Sequence, residues 1–111
     1  MDPAVKAYLP LTPALFHVLL SLADGDKHGY AILKEVEERT HGDVVLSTGT
    51  LYGIIKRLLT DELIRELTAS GEDRRRCYRL TPFGRRVAMA EADRLRAMVS
   101  AAEAKFDPKL A

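Results

Sequence analysis

A mainly α-helical chain with one small β-hairpin is the fold class that this sequence predicts. Three observations carry that prediction. Thr12-Pro13 and Thr81-Pro82 are both helix starts, an apolar stripe follows Ser47 at helical spacing, and two short alternating segments flank a polar, arginine-containing loop.

Each element follows in order. At Thr12-Pro13 a capping hydroxyl precedes a proline at the first helical position. Leu15, Phe16, Leu19 and Leu22 then recur on one face, widened by Val18 and Leu20, until Asp24-Gly25-Asp26 stops the helix. A second helix is expected from His28-Gly29 to Arg39, burying Tyr30 or Ala31, Leu33 and Val36. Gly42 suits the left-handed conformation past its end. Val44-Val45-Leu46 reads as an extended connector.

Ser47 is the clearest cap. Leu51, Ile54, Ile55, Leu58 and Leu59 follow it as a single buried face. The opposite face carries Thr48, Gly49, Tyr52, Gly53, Lys56 and Thr60, with Arg57 beside it. Glycine inside a helix costs roughly 1 kcal/mol relative to alanine. Gly49 and Gly53 protect no core, so their presence points to close approach of a partner to the backbone.

Apart from the Leu63-Ile64 doublet, Leu63–Thr68 and Arg76–Leu80 alternate with period two around residues 69–75, which predicts a hairpin with a long, polar, arginine-tipped loop. Thr81-Pro82 opens a last helix that reaches Phe106 and stops at Asp107-Pro108. At 1.5 Å per residue it would run about 37 Å, longer than a three-helix core can cover. Its stripe of Val87, Leu95, Met98, Val99, Ala102 and Phe106 therefore predicts a homodimer, with Met89 and Met98 in the seam.

Length and charge bound the function. With 111 residues, 47% hydrophobic and 30% charged, the chain is about one domain. Neither a spanning apolar run nor a signal-peptide pattern occurs, so a cytoplasmic protein with no membrane partner is expected. Net charge is +1, but residues 56–86 carry nine basic against five acidic side chains, or +4, leaving −3 elsewhere. Segregated charge of this kind suits an anionic polymer. The sequence shows no phosphate loop, no nucleophile with a base and no carboxylate pair, so no catalytic site is expected. His17, His28 and His41 lack metal-ligand spacing, and no metal or cofactor is expected. His28 is read as packed or capping, Cys77 as a small buried hydrophobe, and Tyr30 and Tyr78 as core or interface aromatics. Tyr52 is read as a phosphate contact.

Three short helices, a hairpin and a long helix form the order of a winged helix-turn-helix with a C-terminal dimerisation helix. Residues 1–81 would be the DNA-binding part and residues 82–111 the dimerisation helix, in one compact unit. In such modules the third helix enters the major groove and the hairpin reaches the backbone or minor groove. The candidate DNA contacts are Ser47, Thr48, Gly49, Thr50, Tyr52, Gly53, Lys56 and Arg57 on that helix, and Arg74, Arg75 and Arg76 on the wing.

Leu11-Thr12-Pro13, His28-Gly29-Tyr30, the run Ser47 to Gly53, Lys56-Arg57-Leu58, Asp61 to Ile64 and Arg75 to Thr81 together resemble the PadR family of transcriptional regulators. The resemblance spans about Leu11 to Arg96. It implies a homodimeric DNA-binding repressor of bacterial or archaeal type. It further implies the short subfamily, whose single C-terminal helix makes most of the dimer interface. Ser47 to Tyr52 and Lys56 fall on the family's recognition helix, and Arg74 to Arg76 on its wing. Glu62 stands where the family often has glycine, which predicts a strained or reshaped turn, and Thr48 stands where proline or glutamate is frequent. Some relatives hold flat aromatic compounds between aromatic side chains at the interface. Here the last helix offers Phe106, Met89 and Met98, so an analogous site is not expected. Two readings result: a homodimeric repressor, open to release by a small-molecule effector, or a winged-helix module for protein–protein contact without DNA binding.

Overall fold

The computed structural model describes residues 1–67, 75–107 and 109. Its helices are α1 (Pro3–Lys6), α2 (Pro13–Ser21), α3 (Gly29–Arg39), α4 (Thr48–Thr60) and α5 (Pro82–Phe106); its strands are β1 (Lys27–His28), β2 (Ile64–Leu67) and β3 (Cys77–Leu80). Among the described residues, no helix is long and apolar enough to cross a membrane.

The expected helix starts are made by the expected side chains. Thr12 Oγ1 accepts from the Leu15 N–H at 3.2 Å, Ser47 Oγ from Thr50 at 3.1 Å, and Thr81 Oγ1 from Gly84 at 2.9 Å. Each satisfies an amide that the helix itself leaves unpaired. Asp2 does the same for α1, an element the sequence pattern did not announce because it has a single turn. Val5 on α1 is buried and anchors that turn to the shared core.

The ends of α3 and α4 share one construction. His41 N–H bonds to Glu38 C=O and Gly42 N–H to Glu37 C=O; Glu62 N–H bonds to Leu59 C=O and Leu63 N–H to Leu58 C=O. That pattern requires a left-handed residue just beyond the helix. It falls on His41 (φ 52°) and Glu62 (φ 60°); Gly42 (φ 84°), next after His41, is left-handed as the sequence predicts. The turn after α4 thus keeps the shape that glycine would give it, with strain stored at Glu62.

Three expectations are corrected. The hairpin is part of a three-stranded antiparallel sheet ordered β1-β3-β2, with Lys27 opposite Tyr78, His28 opposite Cys77, and Ile64 opposite Leu80. β1 has two residues, too few to show a period of two. Next, α3 buries Gly29, Ile32 and Val36, with Leu33 half-buried, and not Tyr30 or Ala31. Tyr30 is 67% exposed, with Lys34 Nζ 5.8 Å from its ring centre. Val36 is buried as expected, and the difference lies at the start of the helix, where Gly29 and Ile32 face inward and Gly29 lies under Tyr52 of α4. Last, Val87 belongs to the protomer's own core, at 0% exposure, and not to an outer stripe.

One core joins α2, α3, α4, the sheet and the first part of α5, with Leu19, Ile32, Leu51, Leu58, Tyr78 and Val87 at its centre. Along α5 the buried residues are Gly84, Val87, Ala88 and Glu91; from Asp93 on, only Arg94 is less than exposed. The helix runs past the body it packs on.

Candidate nucleic-acid interface

α4 owes its placement to Leu51, Ile55 and Leu58, which are buried and leave the opposite side in solvent. Ser47, Thr48, Gly49, Thr50, Tyr52, Gly53, Lys56 and Arg57 are all exposed and share this helix with its cap. A Cβ added at Gly49 or Gly53 would meet nothing within 4 Å, so the chain itself does not require glycine at either position. The face is smooth because of them. Ser47 both caps the helix and donates to Thr50 Oγ1 at 2.9 Å, which fixes two hydroxyls at its first turn. Lys56 has no ion pair among the described residues, and Arg57 lies 4.0 Å from Asp61.

Among the described residues of the basic segment 56–86, several charges already have partners. Arg79 grips Asp26 through two hydrogen bonds of 3.0 and 2.8 Å, and this bond to Arg79 holds the Asp26 carboxyl below its ordinary range. Arg76 pairs with Glu66 across the strands at 3.4 Å, and Arg85 donates to the Ala23 carbonyl. Arg75 and Arg76 are exposed at the root of the wing. Arg74 and the loop from 68 lie outside the described residues.

The remaining candidates sort by burial. Tyr78 is a core residue, and burial first, then the Glu66 carboxylate and the Tyr52 phenol, push its hydroxyl above the ordinary tyrosine range. Cys77 is half-buried, not buried. His28 occupies the position before α3 but makes no capping bond with its side chain; its Nδ1 lies 3.3 Å from the Arg76 carbonyl oxygen. His17 lies beside Arg39, which donates to His17 Nδ1 and to its carbonyl oxygen at 2.7 Å. Partial burial, then the Arg39 charge, lower the His17 pKa. Arg39 also reaches Ser21 Oγ at 3.1 Å and so ties the end of α3 to α2.

Residue-by-residue reading missed two positions. Glu91, at 1% exposure, accepts from the Leu11 N–H at 2.7 Å and from Arg94. Gly29 lies under the Tyr52 phenol, whose oxygen is 2.8 Å from where a Cβ would stand. A signal existed for the second: glycine opening a helix, where alanine would serve better, implies a close neighbour.

Helix-turn-helix, capped polar helix and three-stranded wing stand together in one chain, and residues 18–90 match the PadR-like family of transcriptional regulators. The chain belongs to that family. This PadR-like chain spans 21% and 64% of the lengths of two curated relatives it matches. The first, a 37.1 kDa protein of transposon TN4556 from Streptomyces fradiae, is 43% identical to it over 75 residues, 68% of this chain. A PadR family transcription regulator from Clostridium difficile superposes with a TM-score of 0.71 at 25% identity, covering 83% of this chain and 95% of that one. Bacillus subtilis PadR in complex with operator DNA superposes at 0.62 with 21% identity, over 71% of this chain and 47% of that one, a likeness of fold.

Proposed function

We propose that this PadR-like chain is a sequence-specific double-stranded DNA-binding regulator that acts as a homodimeric repressor. The observation that carries the reading is the exposed face of α4, where Ser47, Thr48, Gly49, Thr50, Tyr52, Gly53 and Lys56 stand free of the core on a helix capped at its start. A helix fits the major groove, which is ~12 Å wide. Hydroxyls and lysine can address bases and phosphates, and the glycines let the groove wall come close. Arg75 and Arg76 at the wing root, with Arg74 beyond them in sequence, suit the backbone or a narrow minor groove.

The far half of α5 supports the dimer. Leu95, Met98, Val99, Ala102 and Phe106 are exposed there, with Met98 at 57%, Val99 at 54% and Phe106 at 85%. A two-fold partner would cover this apolar row and present two reading helices to two half-sites.

The test is a gel shift at several salt concentrations, with the duplex upstream of the chain's own reading frame beside a random duplex. Tighter binding to the first, weakening as salt rises, is expected. Failure to shift either duplex at low salt would overturn the reading in favour of a protein–protein module.

A further inference from the structure

Gly29 and Tyr52 meet at the junction of the reading helix and the wing. The Tyr52 oxygen would lie 2.8 Å, its Cζ 3.2 Å and its Cε1 3.5 Å from a Cβ at residue 29. No carbon fits there while the phenol stays. Gly29 follows directly on β1, whose His28 and Lys27 pair with Cys77 and Tyr78 of β3. Tyr52 therefore rests on a residue fastened to the wing's central strand.

We propose that Gly29 is a positioning residue for DNA reading: by having no side chain it seats the Tyr52 ring, and the seated ring sets the distance between α4 and the wing. This rests on the DNA-binding reading above. The two contact surfaces must meet the duplex at once, so their spacing decides which sequences fit. Gly29→Ala pushes the ring outward and spoils that spacing without removing any group that touches DNA. Tyr52→Phe removes the oxygen at 2.8 Å and leaves the ring carbon at 3.2 Å, a contact that a small shift relieves.

The experiment is a double-variant cycle of wild type, Gly29→Ala, Tyr52→Phe and both together. Anisotropy is read with the labelled duplex from upstream of the reading frame and with a random duplex. Gly29→Ala should lower the ratio of specific to random affinity by about tenfold, the order of one misplaced base contact. Adding Tyr52→Phe should bring the ratio back to that of Tyr52→Phe alone. A merely structural glycine would lower the thermal midpoint and leave the ratio unchanged, and that result overturns the proposal. So do losses that simply add. Should Gly29→Ala fail to fold alone, a folded double variant that binds like Tyr52→Phe supports the pairing, and an unfolded one overturns it. Wild type that binds neither duplex defeats the DNA reading itself, a result distinct from additive losses in a protein that binds.

Discussion

The carbonyl oxygen of Leu63 occupies the space beside Gly84 where a side chain would begin: a Cβ there would stand 1.9 Å from it. The same oxygen accepts from the Thr81 N–H and hydroxyl, both at 3.1 Å. The start of α5 is thereby locked to the strand that leaves α4. The Thr81 hydroxyl also donates to the Glu62 carbonyl at 2.7 Å, so two successive carbonyls hold this start.

Gly84→Ala should therefore be costly. The clash is with backbone, which cannot swing aside, so a loss of about 3 kcal/mol is expected, at the upper end for overpacking. Thermal unfolding followed by circular dichroism should show the midpoint down by more than about 10 °C. A midpoint within two or three degrees of wild type (~2–3 °C) would show that α5 slides freely on β2.

Glu62→Gly should do the opposite. Glu62 holds φ 60° in the turn after α4, a conformation that costs a residue with a side chain about 1–2 kcal/mol. Part of that gain is offset by the greater freedom of glycine in the unfolded chain, which leaves about 0.5–1 kcal/mol of added stability. Chemical denaturation should show a higher midpoint with an unchanged slope. A lower midpoint would mean that the Glu62 side chain contributes more than its backbone strain costs.

Acid should weaken the protein through Glu91. The Arg94 hydrogen bond first, and the Leu11 N–H after burial is set against them, hold this carboxyl below the ordinary glutamate range. Its charged form is favoured in the folded state, so the stabilisation is present above the unfolded value of about 4.3 and is lost as pH falls through the folded value. Glu91→Gln, which turns an amide donor toward one of two donors, should cost about 1–3 kcal/mol at neutral pH. It should also flatten the acid limb of the stability profile. A variant with the same acid limb as wild type would assign that limb to other carboxylates.

Leu95→Glu with Val99→Glu should give monomer or aggregate, because both residues lie in the exposed apolar row of α5 and a buried unpaired charge is strongly unfavourable. Light scattering reads the result directly. A double variant that remains dimeric would place the main interface elsewhere.

Neutralising Arg74 and Arg75 should weaken binding to specific and random duplexes alike. The slope of log K against log salt should flatten by about 0.9 per lost phosphate contact in each subunit. Thr48→Ala or Lys56→Ala should instead change the ratio between the two duplexes where the side chain meets a base edge. A salt slope untouched by the double arginine change would show that the wing stays off DNA.

Local signals account for much of what could be read in advance. Thr12, Ser47 and Thr81 cap their helices because capping depends on the neighbouring three residues, all visible in sequence. The exposed face of α4 was legible for the same reason: its buried and open positions alternate within one helix. Arg79 shows the limit. It counted toward the basic segment, yet Asp26, far away in the chain, holds it in a two-bond pair.

Local pattern alone therefore gave helices α2 to α5 and their starts, the two strands of the hairpin and the polar composition of α4, but not the single turn of α1. Each rests on interactions within a few residues of the chain. Tertiary structure decided the rest. It paired β1 with β3, turned Gly29 and not Tyr30 inward at the start of α3, drew Val87 into the core, and buried Glu91 against Leu11. These outcomes depend on partners distant in sequence, where one glycine makes room for one ring and one carboxylate finds one amide. No local period records such partners, because the free energy that selects them comes from close packing between elements that the chain brings together only when it is folded.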